Sequence, residues 1–273
     1  SGKRHIATTD TFPFEYSGKN NNPDMNAVDK FFGECVGSET PFCLFACSNE
    51  PHTPWNNGDP SAYPPAKNIL PPYIADTPYV RRQFSKYLAE ITYFDEQVGQ
   101  ILDLIDKHGI RDNTLVMVVS EQGNSLPFAK WTCYEMGLGS IMVVRWPGMV
   151  KPESVSNAMV EYCDITPTFV EAAGGVPLPG LDGKSFLPVL LGKTDHHKDH
   201  VYGIMTTRGI INGSECYPIR TVRDEKFRLI WNLNHEEAFR NACSSSKEFA
   251  SMLEAAESGD ERAKRVTENY QHR

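Results

Sequence analysis

The fold of this chain is constrained most by two short apolar runs, residues 115–119 (LVMVV) and 141–144 (IMVV). Runs rich in β-branched residues are typical of strands buried on both faces of a parallel sheet, so they predict an α/β domain. The polar loop between them carries Glu121, Gln122 and Lys130. Because open α/β sheets bind ligands beyond the carboxyl ends of their strands, this loop could hold a cation and an anion together. The alternative is an ordinary solvated loop.

The clearest helix is predicted over residues 79–108, where apolar side chains recur at helical spacing along one face. Gly109 is expected to end this helix. Upstream, residues 1–30 are predicted to be loop, residues 42–47 (FCLFAC) a buried strand, and residues 48–78 a long loop. This strand–loop–helix–strand order indicates an α/β domain with a largely parallel sheet.

Three more strands are predicted in the C-terminal third of the chain, over residues 201–206, 217–223 and 226–231. The Asp224-Glu225 pair suits a tight hairpin between the last two strands. Hairpin strands pair antiparallel, so a small α+β subdomain is expected here. We therefore divide the chain into an α/β domain over 1–175 and a connector with a small C-terminal subdomain over 176–273.

Two further helical regions are predicted. Asp164 is expected to cap a short helix that has Pro167 in its first turn and ends at Gly174. Residues 236–270 are charged, Ala-rich and helical in tendency. Their thin apolar stripe indicates a peripheral helix or helix pair.

Composition excludes several classes of protein. The net charge of −8, with no basic stretch to offset it, argues against a general nucleic-acid binder. No apolar run reaches the roughly 18 residues that a membrane-spanning helix needs. The seven cysteines show neither a C-x-x-C pair nor zinc-ribbon spacing, so mostly reduced structural thiols are favoured over a disulfide framework. Cys43 and Cys47 are expected to act as small buried hydrophobes.

Short polar motifs recur along most of the chain: Gly2-Lys3-Arg4-His5, Pro51-His52-Thr53-Pro54, Ser120-Glu121-Gln122-Gly123, Lys130, and the segment 182–190 (DGKSFLPVL). Each motif alone has an ordinary structural explanation. In this order they resemble the motifs of type I, formylglycine-dependent sulfatases of the alkaline phosphatase superfamily. The resemblance implies a mostly parallel or mixed sheet sandwiched by helices, with a small C-terminal antiparallel subdomain. It also implies that segment 182–190 is structural.

The resemblance assigns the anion chemistry to lysines and histidines. Lys3 and Lys130 would contact the sulfate, because a sulfate ester is charged and gains charge on the leaving oxygen. His52 would bind the sulfate and protonate that oxygen, and His5 would assist the later release of sulfate. Trp55, Trp131 and Tyr134 could stack on a sugar ring, although core or loop aromatics are the simpler interpretation.

The resemblance assigns a metal to Glu121 and Gln122. Relatives usually have Asp followed by Asn or His there, so both side chains are one methylene longer in this chain. Both keep an oxygen donor for a hard cation. Ca²⁺ is favoured over Mg²⁺, because its looser geometry tolerates longer ligands.

The family's nucleophile has no counterpart in this sequence. It is a Cys or Ser in a Cys/Ser-x-Pro/Ala-x-Arg motif, converted to formylglycine and located upstream of the Gly-Lys-x-His segment. No cysteine here has that context, and two further metal-binding aspartates are also absent. The resemblance therefore implies the C-terminal part of a sulfatase that begins just before Lys3. Without the N-terminal part of the same protein, this chain is expected to be inactive.

The functional hypothesis is a sulfuric ester hydrolase acting on a sulfated carbohydrate, such as an O-sulfated or N-sulfated glucosamine from a glycosaminoglycan. One alternative is a phosphate or phosphonate ester hydrolase of the same superfamily. Another is a non-catalytic fragment that binds sulfated glycans or is degenerate. The resemblance to this family implies a secreted, periplasmic or lysosomal location.

Overall fold

A computed structural model of the chain describes residues 1–3, 10–17, 20–207 and 209–272, so His5 lies outside the described residues. The chain forms two compact units. The first unit comprises Ser1–Arg111, Asn124–Pro127 and Ser246–Asn269, and the second comprises Asp112–Gly123, Phe128–Ser245 and Tyr270–Arg273. These units do not follow the division at residue 175, because each is assembled from three separate stretches of chain. The division into 1–175 and 176–273 stays a prediction.

Among the described residues, helices occur in both units, whereas all five strands belong to the second unit. The α-helices are α1 (Met25–Gly37), α2 (Pro78–Lys107), α3 (Glu135–Leu138), α4 (Ile165–Ala172), α5 (Leu187–Leu190), α6 (Lys247–Glu257) and α7 (Glu261–Gln271). The strands are β1 (Val116–Val119), β2 (Met142–Arg145), β3 (Val201–Met205), β4 (Ile219–Arg223) and β5 (Arg228–Asn232).

Helix α2 organises the first unit and confirms the predicted helix. It begins after Thr77, whose hydroxyl oxygen accepts the N–H of Val80 at 3.1 Å, and it ends before Gly109, which has a φ of 68°. Helix α6 packs against α2 and buries Phe249 and Met252, so this part of region 236–270 belongs to the core of the first unit. Among the described residues, no helix has both the length and the apolar character that a membrane span requires.

Helix α1 corrects the prediction of loop over residues 1–30. Asp24 caps this helix, because its Oδ1 accepts the N–H groups of Asn26 and Ala27. Val28 and Phe32, four residues apart, are both buried. The sequence signal was therefore present: a capping aspartate followed by apolar residues at helical spacing.

The segment 42–47 is extended, but it is not a buried strand. Within the described part of the chain, its one bridge joins Gly2 and Cys47 in parallel, with the Lys3 N–H donating to the Cys47 carbonyl at 2.9 Å. Cys43 and Cys47 are exposed, so the expectation that they are buried hydrophobes is wrong. A ladder needs a continuous neighbouring strand, and the described residues offer this segment only residues 1–3. All seven cysteines are free thiols, as expected.

Strands β1 and β2 of the second unit occur close to the predicted positions, but they pair antiparallel, with Val116 opposite Arg145. The parallel arrangement predicted for these two strands is therefore wrong. The connection between them contains only the four-residue helix α3, rather than the longer helix of a usual parallel crossover. Ser120 closes the end of the ladder, because its Oγ accepts the N–H of Ile141 at 3.0 Å.

Strands β3, β4 and β5 form the predicted antiparallel sheet in that order. The predicted hairpin turn is held by Asp224, whose Oδ1 accepts the N–H groups of Lys226 at 2.7 Å and Phe227 at 2.6 Å. This turn fixes the register in which Arg223 lies opposite Arg228.

Candidate functional site

The loop after β1 brings Glu121 and Lys130 together. Lys130 Nζ lies 3.3 Å from Oε1 and 3.4 Å from Oε2 of Glu121. The lysine side chain is only 16% exposed, whereas the glutamate is 59% exposed. Lys130 Nζ also lies 5.4 Å from the ring centroid of Trp131. The structure therefore holds a largely buried cation next to a solvent-facing carboxylate.

The backbone of this loop is fixed rather than freely solvated. A Cβ on Gly123 would lie 1.8 Å from the carbonyl oxygen of Met136, so only glycine fits there. Phe128 and Trp131 have φ values of 67° and 63°, a conformation that costs roughly 1–3 kcal/mol and persists only where the surroundings enforce it. Such residues concentrate at functional sites. The interpretation as an ordinary solvated loop is therefore disfavoured.

His52 lies in the first unit on an exposed turn that contains two cis peptide bonds, before Pro51 and before Pro54. Its Nδ1 is 2.6 Å from the carbonyl oxygen of Thr53. A carbonyl can only accept, so Nδ1 carries the proton and Nε2 is the nitrogen that can accept one. The ring is thus held in the tautomer that leaves Nε2 for proton transfer.

The turn is supported from within by Trp55 and by two acids that the sequence did not single out, Glu50 and Glu90. Trp55 is 8% exposed, packs on Tyr87 of α2 and donates its Nε1–H to the carbonyl of Pro51, so it is a core residue rather than a sugar platform. Glu50 and Glu90 are also buried. Burial and a hydrogen bond with Glu50 raise the pKa of Glu90 to about 7.

The remaining predicted residues are distributed between the two units. Lys3 lies beside Cys47 in the first unit, together with His52. Gln122 lies next to Glu121 in the second unit and is partly buried. The roles assigned to Lys3, His5, His52 and Lys130 stay predictions.

Glu121 and Gln122 fit a hard cation in donor chemistry but not in number. Carboxylate and amide oxygens are the ligands that Ca²⁺ takes, but it requires six to eight of them. The Glu121 carboxylate is paired with Lys130, and two side chains alone do not complete a site. Any cation held here would need further ligands.

One other cluster has the composition of a metal site. Ligand atoms of Glu161, Cys163 and Asp164 lie within 4.8 Å of one another, the one such group found among the described residues. Lys198 Nζ lies 2.5 Å from Glu161 and 2.9 Å from Asp164. The ammonium group of Lys198 thus occupies the position that a metal ion would take, and the cluster is an internal ion pair.

Asp164 corrects the prediction that it caps α4. Its carboxylate makes no cap bond to that helix and instead accepts the N–H groups of Glu161 at 2.8 Å and Lys184 at 2.9 Å. Burial raises the pKa of Asp164, but hydrogen bonds from Lys198 and from those N–H groups outweigh it, so the pKa lies below its usual value. Asp164 therefore joins segment 161–164 to the start of segment 184–190.

Segment 182–190 has the structural role that the resemblance implies. A Cβ on Gly183 would lie 1.9 Å from the carbonyl oxygen of Cys163, so the backbone approaches closely there. The N–H of Phe186, a fully buried residue, donates to Thr168 Oγ1 at 3.0 Å. These contacts pack the segment against α4.

Two family models match this chain. The model described as Sulfatase matches residues 3–176. The model described as N-sulphoglucosamine sulphohydrolase, C-terminal, matches residues 123–259.

Similar curated proteins are longer than this chain. An ulvan-active sulfatase from Formosa agariphila is 32% identical over 246 residues, which cover 87% of this chain and 48% of the relative. The N-sulphoglucosamine sulphohydrolase of Homo sapiens is 25% identical over 283 residues, covering 87% of this chain and 55% of the relative. The chain therefore spans about half the length of these relatives.

Solved structures share the fold. A phosphonate monoester hydrolase from Silicibacter pomeroyi matches with a TM-score of 0.57 at 18% identity, covering 91% of this chain and 60% of that protein. A likeness at this identity concerns the fold alone. It confirms the predicted fold class, a mixed α/β fold with a small antiparallel sheet.

Proposed function

Because the chain belongs to the sulfatase family, we propose that it is the C-terminal part of a sulfuric ester hydrolase that acts on a sulfated carbohydrate. The observation that carries this proposal is Lys130, a largely buried ammonium group on a fixed loop after β1. Holding a lysine in a partly dehydrated position lowers the cost of binding an anion, because little water must reorganise. The names of the curated relatives, one active on ulvan and one on N-sulphoglucosamine, support a sulfated glycan as substrate.

We propose a role in that reaction for each of the predicted site residues. Lys130 and Lys3 would neutralise the sulfate, and His52 would bind it. His52 would also donate a proton from Nε2 to the leaving oxygen as the S–O bond breaks. For that step the ring must first take up a proton at Nε2, the nitrogen that does not face the Thr53 carbonyl. His5 would assist the release of sulfate.

The metal and the nucleophile complete the proposal. Glu121 and Gln122 would supply two oxygen ligands, and the cation, Ca²⁺ by ligand type, would stabilise negative charge on the sulfate. The other ligands and the formylglycine nucleophile would come from an N-terminal part of the same protein. The greater length of the relatives supports this arrangement. A secreted, periplasmic or lysosomal setting is proposed from the family alone.

The second candidate is a phosphonate or phosphate ester hydrolase. The solved phosphonate monoester hydrolase supports it by fold only. Lysine and histidine bind either anion, so the residues do not separate the two substrates. The family models and curated relatives favour sulfate.

Calcium is expected to stabilise the protein that includes its N-terminal part. A ligand that binds only the folded state adds about 2.7 kcal/mol to the free energy of unfolding at about 100 times its Kd. Thermal unfolding with and without excess Ca²⁺ measures this effect, and Glu121→Ala should remove it. Glu161→Gln is the control, because the ammonium of Lys198 already fills that second cluster. If Ca²⁺ raised the melting temperature of the Glu121→Ala variant as much as that of the unaltered protein, this metal site would be ruled out.

A further inference from the structure

Glu90 anchors the segment that follows His52 to helix α2. Its side chain is fully buried. Its Oε1 accepts the backbone N–H of Asn56 at 2.5 Å and that of Asn57 at 2.9 Å. These amides come four and five residues after His52, and α2 is a 30-residue helix. One carboxyl group therefore fixes the downstream side of the His52 turn to a rigid element.

Glu50 anchors the upstream side of the same turn. It lies two residues before His52, and its Oε1 accepts the amide groups of Asn22 at 3.1 Å and Asn57 at 3.0 Å. Asn57 thus connects the two acids, giving its backbone N–H to Glu90 and its side-chain amide to Glu50.

The second oxygens of the two acids, Oε2 of Glu50 and Oε2 of Glu90, are both buried and lack a donor of their own among the described residues. A side-chain hydrogen bond nevertheless joins the two carboxyl groups. Two neighbouring buried carboxylates repel each other, so a single proton held between the pair is the arrangement that favours the folded state. Neither acid has an ion-pair partner among the described residues.

We infer that Glu90, through this proton-sharing pair with Glu50, is a positioning residue that holds the turn carrying His52. The role of His52 in proton transfer rests on the proposed function, whereas the placement of its turn does not. The groups that act on Glu90 are the carboxyl of Glu50 and the N–H groups of Asn56 and Asn57. Loss of the shared proton would place two negative charges in contact and loosen the turn.

The pH dependence follows from the direction of the pKa shift. The pKa of Glu90 is raised to about 7 in the folded protein, from its ordinary value of 4.5. The folded state therefore retains a proton that the unfolded chain releases. The stabilisation is complete below the ordinary pKa and is lost as the pH rises through about 7.

Residue-resolved amide hydrogen exchange of this chain tests the inference. Between about pH 5 and about pH 8, after correction for intrinsic rates, protection of the Asn56 and Asn57 amides is expected to fall about 50- to 100-fold. Amides near the end of α2, such as that of Leu104, serve as the internal reference. Glu90→Gln should keep these two amides protected at both pH values, since its amide group replaces the shared proton. Glu90→Ala should lose the protection at every pH.

Two outcomes would overturn the inference: pH-independent protection in the unaltered chain, or full protection in Glu90→Ala. If Glu90→Ala fails to fold, the contrast between the unaltered chain and Glu90→Gln still decides. The exchange experiment needs no enzymatic activity, so failure of the proposed function would leave its result intact. In an active protein, Glu90→Ala should lower kcat with little change in KM, and Glu90→Gln should restore kcat.

Discussion

Replacing Lys198 with methionine is expected to lower the free energy of unfolding by about 3 to 5 kcal/mol. The loss arises because Asp164 is fully buried and Lys198 Nζ, 2.9 Å away, is its main compensating charge. His197 Nε2 lies 3.2 Å from Asp164, but the imidazole carries charge only when protonated. Urea denaturation at neutral pH, compared between the unaltered chain and the variant, measures the effect.

A surface pair supplies the control for Lys198. Lys30 and Glu34 lie 3.6 Å apart on α1 with side chains 77% and 65% exposed, so Lys30→Met should cost about 0.5 kcal/mol or less. The pKa of Asp164 lies below its usual value, so its stabilisation is present above that usual value and is lost as the pH falls. The difference in the free energy of unfolding between the unaltered chain and Lys198→Met should therefore shrink in acid. If Lys198→Met and Lys30→Met lost the same free energy of unfolding at neutral pH, the buried ion pair would not have the stabilising role given to it.

Replacing His52 with alanine in the protein that includes its N-terminal part is expected to lower kcat for sulfate release by about 10²- to 10⁴-fold. The reason is that the variant lacks the proton that, in the proposed reaction, Nε2 would give to the leaving oxygen. A sugar leaving group is a poor one and needs this proton. An aryl sulfate with an acidic phenol as leaving group does not, so its hydrolysis should fall much less.

A second histidine variant controls for general effects of the substitution. His196 is exposed and pairs with Asp199 on the surface at 3.1 Å, so His196→Ala should leave kcat unchanged on both substrates. If His52→Ala slowed the sugar sulfate and the aryl sulfate equally, His52 would not be the proton donor to the leaving group.

The sequence predicted helix α2 and the β4–β5 hairpin, because both depend on interactions between residues that are close together in the chain. Helix α2 was predictable because its apolar period runs for 30 residues between a capping threonine and a glycine. The β4–β5 hairpin was predictable because Asp224 can hold its own turn. The direction in which strands pair could not be predicted from the sequence. The β-branched runs 115–119 and 141–144 indicate strands but carry no information on direction, and the two pair antiparallel.

In the candidate site, too, some residues can be selected from the sequence and others cannot. Motif spacing selects His52, Glu121, Gln122 and Lys130 without knowledge of the fold, and their roles stay predictions. Glu90 was missed, because a glutamate on a long helix usually faces solvent. A signal existed: it follows Tyr87 by three residues and precedes Phe94 by four, which places it on the apolar face.

The ion pair between Asp164 and Lys198 had no comparable local signal. The two residues are far apart in sequence, and only the folded chain brings them to 2.9 Å.

Release of inorganic sulfate from a sulfated sugar tests the proposed function most directly. The protein that includes its N-terminal part would be incubated with sulfated and phosphorylated forms of the same sugar, and free sulfate and phosphate would be measured. We expect sulfate release with a clearly higher kcat/KM than phosphate release, and its loss in Lys130→Met. Preferred release of phosphate, or no release of sulfate from any sulfated sugar, would contradict the proposal.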